Sequence, residues 1–256
     1  MFRYIRTITI CFFDILCAYF GWMIPFSRHP ERYPLQYRYA KVRKLTLKVT
    51  KYMHVDIIAK NPEILKTPRT YVFIGNHTSM YDALIMLCLS EYPVSFVGKH
   101  EIRHMPFFGR IMKAIDAVFI ERDNLKKEVA VLREVKLALK EKKMSWVIFP
   151  EGTRNKNPEG PLLPFKAGSF RMAFDTDTPI VPIAIYGAHR PLNTKYRLKR
   201  FPIHVSFLDT ITPDQFKQQN TVTIANHVQN IIQDEVKRLQ VLDGHLLMMK
   251  TDKKKR

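Results

Sequence analysis

The chain is poor in cysteine and poor in acid, and each shortage narrows what it can be. Its three cysteines, Cys11, Cys17 and Cys88, are odd in number and lie in apolar surroundings. That excludes a disulfide framework and points to buried thiols in a reducing compartment. Acidic residues number 23 against 42 basic ones, a formal charge of +19, so an anionic partner is expected: membrane phospholipid, a phosphorylated substrate or nucleic acid. No nucleic-acid recognition signature is present, and the aromatics sit in apolar runs rather than between the basic residues, which argues against nucleic acid. Repeats and low-complexity segments are absent as well. With 46% hydrophobic content, 256 residues suffice for one α/β domain with additions.

A small-residue cleavage site is also missing from the amino-terminal apolar run over residues 4–24. Bulky Tyr19, Phe20 and Trp22 stand where a signal peptide would need one. Arg3 and Arg6 precede the run and Arg28 and Arg32 follow it, an arrangement that suits a membrane-embedded helix. Asp14 in its middle would cost about 2.5–3.5 kcal/mol at a bilayer centre, so an interfacial or re-entrant helix is expected rather than a simple span. Next, Leu35, Tyr39, Val42, Leu45, Val49 and Tyr52 recur at spacings of three and four, with Arg38, Lys41, Arg43, Lys44, Lys48 and Lys51 between them. This is a basic amphipathic helix, read as membrane-contacting in preference to a core-packing helix with a solvated basic face. Residues 1–55 are thus expected to be a helix pair that docks on anionic membrane phospholipid. Residues 56–242 form the α/β domain and 243–256 a basic tail. In that tail Lys253, Lys254, Lys255 and Arg256 would add about 1 kcal/mol each near an anionic surface. The expected location is a membrane, with the active site on its cytoplasmic side.

The chemistry is expected at Asn76-His77-Thr78-Ser79-Met80-Tyr81-Asp82. Tyr71-Val72-Phe73-Ile74 reads as a strand ending in Gly75, and Ala83-Leu84-Ile85-Met86-Leu87 as a buried helix. His77 therefore falls in the turn between them. Asp82, in the first helical turn, is placed to reach back to one imidazole nitrogen and leave the other as a general base; Ser79 is a candidate cap. On spacing alone, a histidine and an aspartate so placed are more often a surface hydrogen bond than a catalytic pair. Two further stretches shift the balance. Ala117-Val118-Phe119-Ile120 runs into Glu121-Arg122-Asp123-Asn124, and Ser145-Trp146-Val147-Ile148-Phe149 into Pro150-Glu151-Gly152-Thr153-Arg154. If the three strands are parallel neighbours, all three polar loops emerge at one carboxyl edge of a mixed, largely parallel sheet flanked by helices. His77, Arg122 and Arg154 would then share a cleft.

Four ordered segments resemble the motifs of the glycerolipid acyltransferases, the lysophosphatidate acyltransferase family: Asn76-His77-x-Ser79-x-x-Asp82, Phe119-Ile120-Glu121-Arg122, Phe149-Pro150-Glu151-Gly152-Thr153-Arg154 and Val181-Pro182-Ile183-Ala184-Ile185. The likeness also takes in Lys99, Pro106-Phe107-Phe108-Gly109 and Phe165-Lys166-Ala167-Gly168. The chain departs from the family at Asp116, where the second motif usually begins with glycine, and at Glu121, where aspartate is commoner. The resemblance implies acyl transfer from acyl-CoA or acyl carrier protein to lysophosphatidate, giving phosphatidate, with no cofactor and no metal. It also implies His77 and Asp82 as the catalytic pair. Phosphate and glycerol binding would fall to Arg122, Glu151, Gly152, Thr153, Arg154, Lys166 and Lys99. Arginine suits phosphate through its paired donors. Glu151 has a second reading, as the residue that holds the Gly152-Thr153 turn. The alternatives to this function are another lysophospholipid acceptor, a zinc peptidase, and a non-enzymatic protein that binds anionic lipid.

The peptidase alternative rests on His100-Glu101-Ile102-Arg103-His104, which matches H-E-x-x-H. That pattern needs a long helix, whereas Gly98 precedes it and Pro106 follows closely. Only Glu121 or Glu151 suggests itself as a third ligand, so a surface turn facing lipid headgroups or acyl carrier is the better reading. Residues 124–143 read as an amphipathic crossover helix. Strands are expected at Pro179 to Tyr186 and at Ile203 to Leu208, with a lipid-facing or solvated loop from Arg190 to Arg200 between them. A structural helix is expected from Pro213-Asp214 past Ile231-Ile232 to Leu242.

Overall fold

Runs of β-branched and aromatic residues pair into one sheet in the computed structural model, which describes residues 9, 12–120, 125–196 and 198–252. Side chains of residues 125–129 and 247–252 lie outside the description. The strands are β1 (Val55–Lys60), β2 (Val72–Gly75), β3 (Val94–Lys99) and β4 (Val118–Ile120). They are followed by β5 (Ser145–Ile148), β6 (Ile180–Tyr186) and β7 (Phe201–Phe207). Their order across the sheet is β1-β7-β6-β2-β5-β3-β4. From β6 to β4 every pairing is parallel, while β7 runs antiparallel to β6 and parallel to β1. The carboxyl ends of β2 to β6 therefore share one edge, and β1 and β7 end at the other. This is the expected mixed, largely parallel α/β architecture; β2 and β5 are direct neighbours, whereas β4 stands beyond β3.

β2, β5, β6 and β7 are buried along their whole length, as strands covered on both faces must be. Alternation sorts their side chains: Phe73 and Val147 join one core, Val72, Ile74, Trp146 and Ile148 the other. The first core is closed by α2 (Leu35–Tyr52), α3 (Tyr81–Leu89) and α4 (Phe108–Ala114), through Tyr39, Val42, Tyr81, Ile85 and Ile111. The second is closed by α5 (Leu125–Lys140), α6 (Arg171–Thr176) and α8 (Thr221–Asp252), through Val135, Leu139, Met172, Val228 and Ile232.

The amino-terminal region differs in part from expectation. Residues 12–18 are helical and continue through a π-helical turn (Tyr19–Met23) into α1 (Ile24–Arg28). Asp14, the costly charge, is paired with Lys48 of α2. Arg110 of α4 ties this region down by bonds to the Tyr19 hydroxyl at 3.2 Å and Ser27 Oγ at 2.9 Å. The apolar stripe of α2 packs into the core, so its exposed remainder is Lys44, Lys48 and Lys51 with Gln36, Tyr37, Ala40 and Leu47. Arg38 is buried too, its guanidinium set against both Asp116 oxygens at 2.7 and 2.8 Å. No helix among the described residues is long and apolar enough to cross a membrane. Of the cysteines, Cys88 is buried, with its thiol pushed up to about 11 by that burial, but Cys17 is exposed; Cys11 lies outside the described residues.

The carboxyl-terminal region departs further. Instead of one helix from Pro213, there is a short α7 (Pro213–Phe216) and then α8, started by Asn220 whose Oδ1 accepts the Thr223 N–H at 2.8 Å. α8 runs past the expected end at Leu242, and Asp243 is buried on it. Its carboxylate accepts both terminal nitrogens of Arg190 at 2.9 and 2.6 Å. Arg190 is therefore neither lipid-facing nor solvated. Lys253 to Arg256 lie outside the described residues.

Candidate active site

The site grows from the carboxyl end of β2. Asn76, buried, donates its Nδ2–H to the Ile185 carbonyl at 2.9 Å and accepts the Ile185 N–H at 2.8 Å. That pair of bonds seals the loop after β2 against β6. His77 follows, held by its backbone on both sides. Its N–H donates to Glu151 Oε1 at 2.7 Å, and its carbonyl accepts the Asn155 N–H at 2.7 Å. The imidazole stacks on Phe149, centroids 4.3 Å apart and planes inclined by 15°.

Nδ1 of His77 lies 2.8 Å from Asp82 Oδ2, and the same oxygen accepts the N–H groups of Thr78 and Ser79 at 2.8 Å each. Asp82 is fully buried, with its side chain 0% exposed. A carboxylate fed by three donors keeps the imidazole in one orientation, and because it accepts, Nδ1 carries the proton. That leaves the Nε2 lone pair uncommitted to the carboxylate, on a side chain that is 20% exposed. Ser79 works one step away from the expected cap: its Oγ accepts the Tyr81 N–H at 3.1 Å, while Met80 occupies the cap position.

Glu151 stands directly beneath this loop, 4% exposed. Oε1 takes the His77 amide and Oε2 takes the Leu163 amide at 3.0 Å. Burial pushes its pKa up, against the two amide bonds that pull it down. With both oxygens on backbone amides, Glu151 holds loops together. Gly152 supports the turn with φ +69°, a left-handed conformation that side chains disfavour. Thr153 and Arg154 then project at the exposed rim, one step before the amide that grips His77. Lys166 joins them, since its N–H donates to the Pro150 carbonyl at 3.1 Å. Lys99 ends β3 at the same edge, paired with Ile120 of β4. Arg122 and Glu121 lie outside the described residues.

Three contributors were not among the expected site residues. Asn76 and Phe149 stand in the quoted motifs without an assigned role, and Asn155 acts through its backbone. Asn155 also closes the excursion after Arg154: its side chain donates to the Pro161 carbonyl at 2.9 Å and accepts the Asn157 N–H at 2.9 Å. The H-E-x-x-H stretch is a single 3-10 turn, His100–His104. No group of three or more histidine, cysteine or acidic side chains gathers around a metal position among the described residues. The peptidase reading thus lacks its helix and, among the described residues, a third ligand.

The family model described as Acyltransferase matches residues 56–186, from β1 to the end of β6. The probable 1-acyl-sn-glycerol-3-phosphate acyltransferase of Mycoplasma pneumoniae is 32% identical over 213 residues, 78% of each chain. The 1-acyl-sn-glycerol-3-phosphate acyltransferase of Escherichia coli K12 is 29% identical over 168 residues, 66% of this chain and 67% of that one. Among solved structures, the 1-acyl-sn-glycerophosphate (LPA) acyltransferase PlsC of Thermotoga maritima has the same fold. It superposes with a TM-score of 0.72 at 23% identity, over 93% of this chain and 98% of that one.

Proposed function

This chain belongs to the acyltransferase family, and from that premise we propose that it acylates the free hydroxyl of 1-acyl-glycerol-3-phosphate, using an acyl thioester and giving phosphatidate. The observation that carries the proposal is the His77–Asp82 pair at 2.8 Å, with Nε2 directed away from the carboxylate. Nε2 takes the proton of the acceptor hydroxyl as its oxygen attacks the thioester carbonyl. The C–O bond forms, the C–S bond breaks, and the imidazolium returns the proton to the departing thiolate. Base assistance of this kind is worth about 10²–10⁴-fold. No acyl-enzyme is needed. Acyl-CoA and acyl carrier protein both present the required thioester.

Arg154, Lys166 and Lys99 at one rim favour an acceptor that carries a phosphate, and Arg122 would add to them; such contacts fix which hydroxyl meets the base. Several cations favour the doubly charged phosphomonoester of lysophosphatidate over the singly charged phosphodiester of an acceptor that bears a headgroup. The test is a panel of lysophospholipids with one thioester donor. Lysophosphatidate should react fastest, and Arg154→Ala should raise its KM with little change in kcat. A variant with unchanged KM would remove Arg154 from acceptor binding.

The proposal includes attachment to the cytoplasmic face of a membrane. Phe12, Phe13, Leu16 and Phe20 are exposed, Phe13 at 74%, near a basic helix face on α2, the pattern of an interfacial helix. An unpaired, exposed Cys17 fits a reducing compartment. Flotation with anionic vesicles checks the attachment: replacing Phe12, Phe13 and Phe20 by Ser should release the protein, and equal flotation would refute it.

A further inference from the structure

The proposed acyl-transfer chemistry assigns no role to His100 and His104, yet their rings face one another. Nε2 of His104 lies 3.3 Å from Nε2 of His100, with ring centroids 5.1 Å apart and planes inclined by 62°. Two imidazole nitrogens on one tetrahedral zinc, each at about 2.0–2.1 Å, stand about 3.3–3.4 Å from each other. The observed separation already matches that chord. As a hydrogen bond between two neutral rings it is long, since N–H donors are usually at about 2.9–3.0 Å from their acceptors.

The turn that sets this spacing is clamped from beneath. Met105 donates its N–H to the Ile102 carbonyl, and Gly109 donates to Met105, both at 3.0 Å. Gly109 lies so close that a Cβ on it would meet the Arg103 carbonyl oxygen at 2.5 Å and that of Ile102 at 2.6 Å. Helix α4 thus supports the 3-10 turn through backbone contact, which fixes the spacing of the two residues that carry the rings. They are also accessible, because the contact between them is solvent-exposed.

We propose that His100 and His104 form a two-histidine surface site for a divalent transition metal ion of the zinc class, with water completing the coordination. Each ring offers its Nε2 lone pair and keeps the proton on Nδ1. Glu101 is the acidic neighbour, and Lys99 and Arg103 flank the turn with positive charge. Selection therefore comes from the nitrogen donors and not from net charge. Magnesium and calcium, which demand oxygen ligands, are excluded. The turn follows β3 directly, so the bound ion sits at the rim of the cleft beside Lys99 and outside the His77–Asp82 chemistry.

The test is calorimetric titration of zinc chloride into the untagged full-length protein, purified in detergent and stripped with chelator. Wild type should bind one zinc ion more than either His100→Ala or His104→Ala, and magnesium chloride should give no binding. His29→Ala, which removes another exposed imidazole, should leave the zinc stoichiometry at the wild-type value. His104→Ala should retain acyl transfer, which shows that it is folded. Equal zinc stoichiometry in wild type and in an active His104→Ala would overturn the proposal. So would a loss of the ion with His29→Ala.

Discussion

The backbone N–H of His77 donates to Glu151 Oε1 at 2.7 Å, so His77 is positioned by a carboxylate from the neighbouring strand's loop as well as by Asp82. Oε2 of the same residue reaches Leu163 at 3.0 Å. One side chain thus joins the loop after β2, the loop after β5 and the excursion that returns from it.

Glu151→Gln should keep the shape and lose one of the two bonds, because the new NH2 faces an amide N–H. A buried bond to a charged group is worth about 1.5–3 kcal/mol, so kcat should fall about tenfold or more while KM for the acceptor stays near wild type. Steady-state kinetics separates the roles: a rise in KM alone would make Glu151 an acceptor ligand instead.

Asp116 has φ +53°, which explains why glycine is usual at this point of the second motif. The chain meets the conformation with an aspartate and then uses its carboxylate to hold buried Arg38. Asp116→Gly and Asp116→Ala lose the ion pair equally, but only alanine suffers in the left-handed region, by about 1 kcal/mol. Thermal unfolding should rank glycine above alanine; the reverse order would mean that the backbone there is free to relax.

His189 packs its ring between Tyr186 and Tyr196, at centroid distances of 5.9 and 5.3 Å. Burial, then the charge of Arg190, pushes its pKa down to about 4. The folded value lies below the ordinary one of about 6.5, so the native state resists the proton. The associated stability is complete above about pH 6.5 and is lost as the pH falls towards 4, by up to about 3 kcal/mol. Unfolding temperatures at about pH 7 and about pH 4.5 should therefore fall further in wild type than in His189→Gln; parallel losses would contradict the assignment.

How much of this could be read from the sequence depends on what each residue contacts. β2, β5 and β6 were legible because unbroken apolar runs gave way to polar loops, and a parallel sheet puts such loops at one edge. β1 was not: Asp56 and Lys60 interrupt it, and its pairing with β7 is a tertiary fact. The periodicity of α2 marked Tyr39, Val42 and Leu45 as one stripe. It could not say whether a sheet or a bilayer would cover them, and it left Arg38 among the solvated basic residues. Asp243 looked like tail because nothing local reveals its partner Arg190, which is 53 residues away in sequence. At the site, His77 and Asp82 carry their chemistry in their side chains. Asn155 contributes a backbone N–H, for which residue type leaves no mark.

The central claim is that His77 is the base of a direct acyl transfer to lysophosphatidate, and its most direct test is to follow free thiol and phosphatidate together. The purified protein should release thiol and form phosphatidate in equal amounts from lysophosphatidate and an acyl thioester, and His77→Ala should slow both by about 10²–10⁴-fold. Wild-type turnover by a folded His77→Ala protein would contradict the account, as would thiol release without phosphatidate.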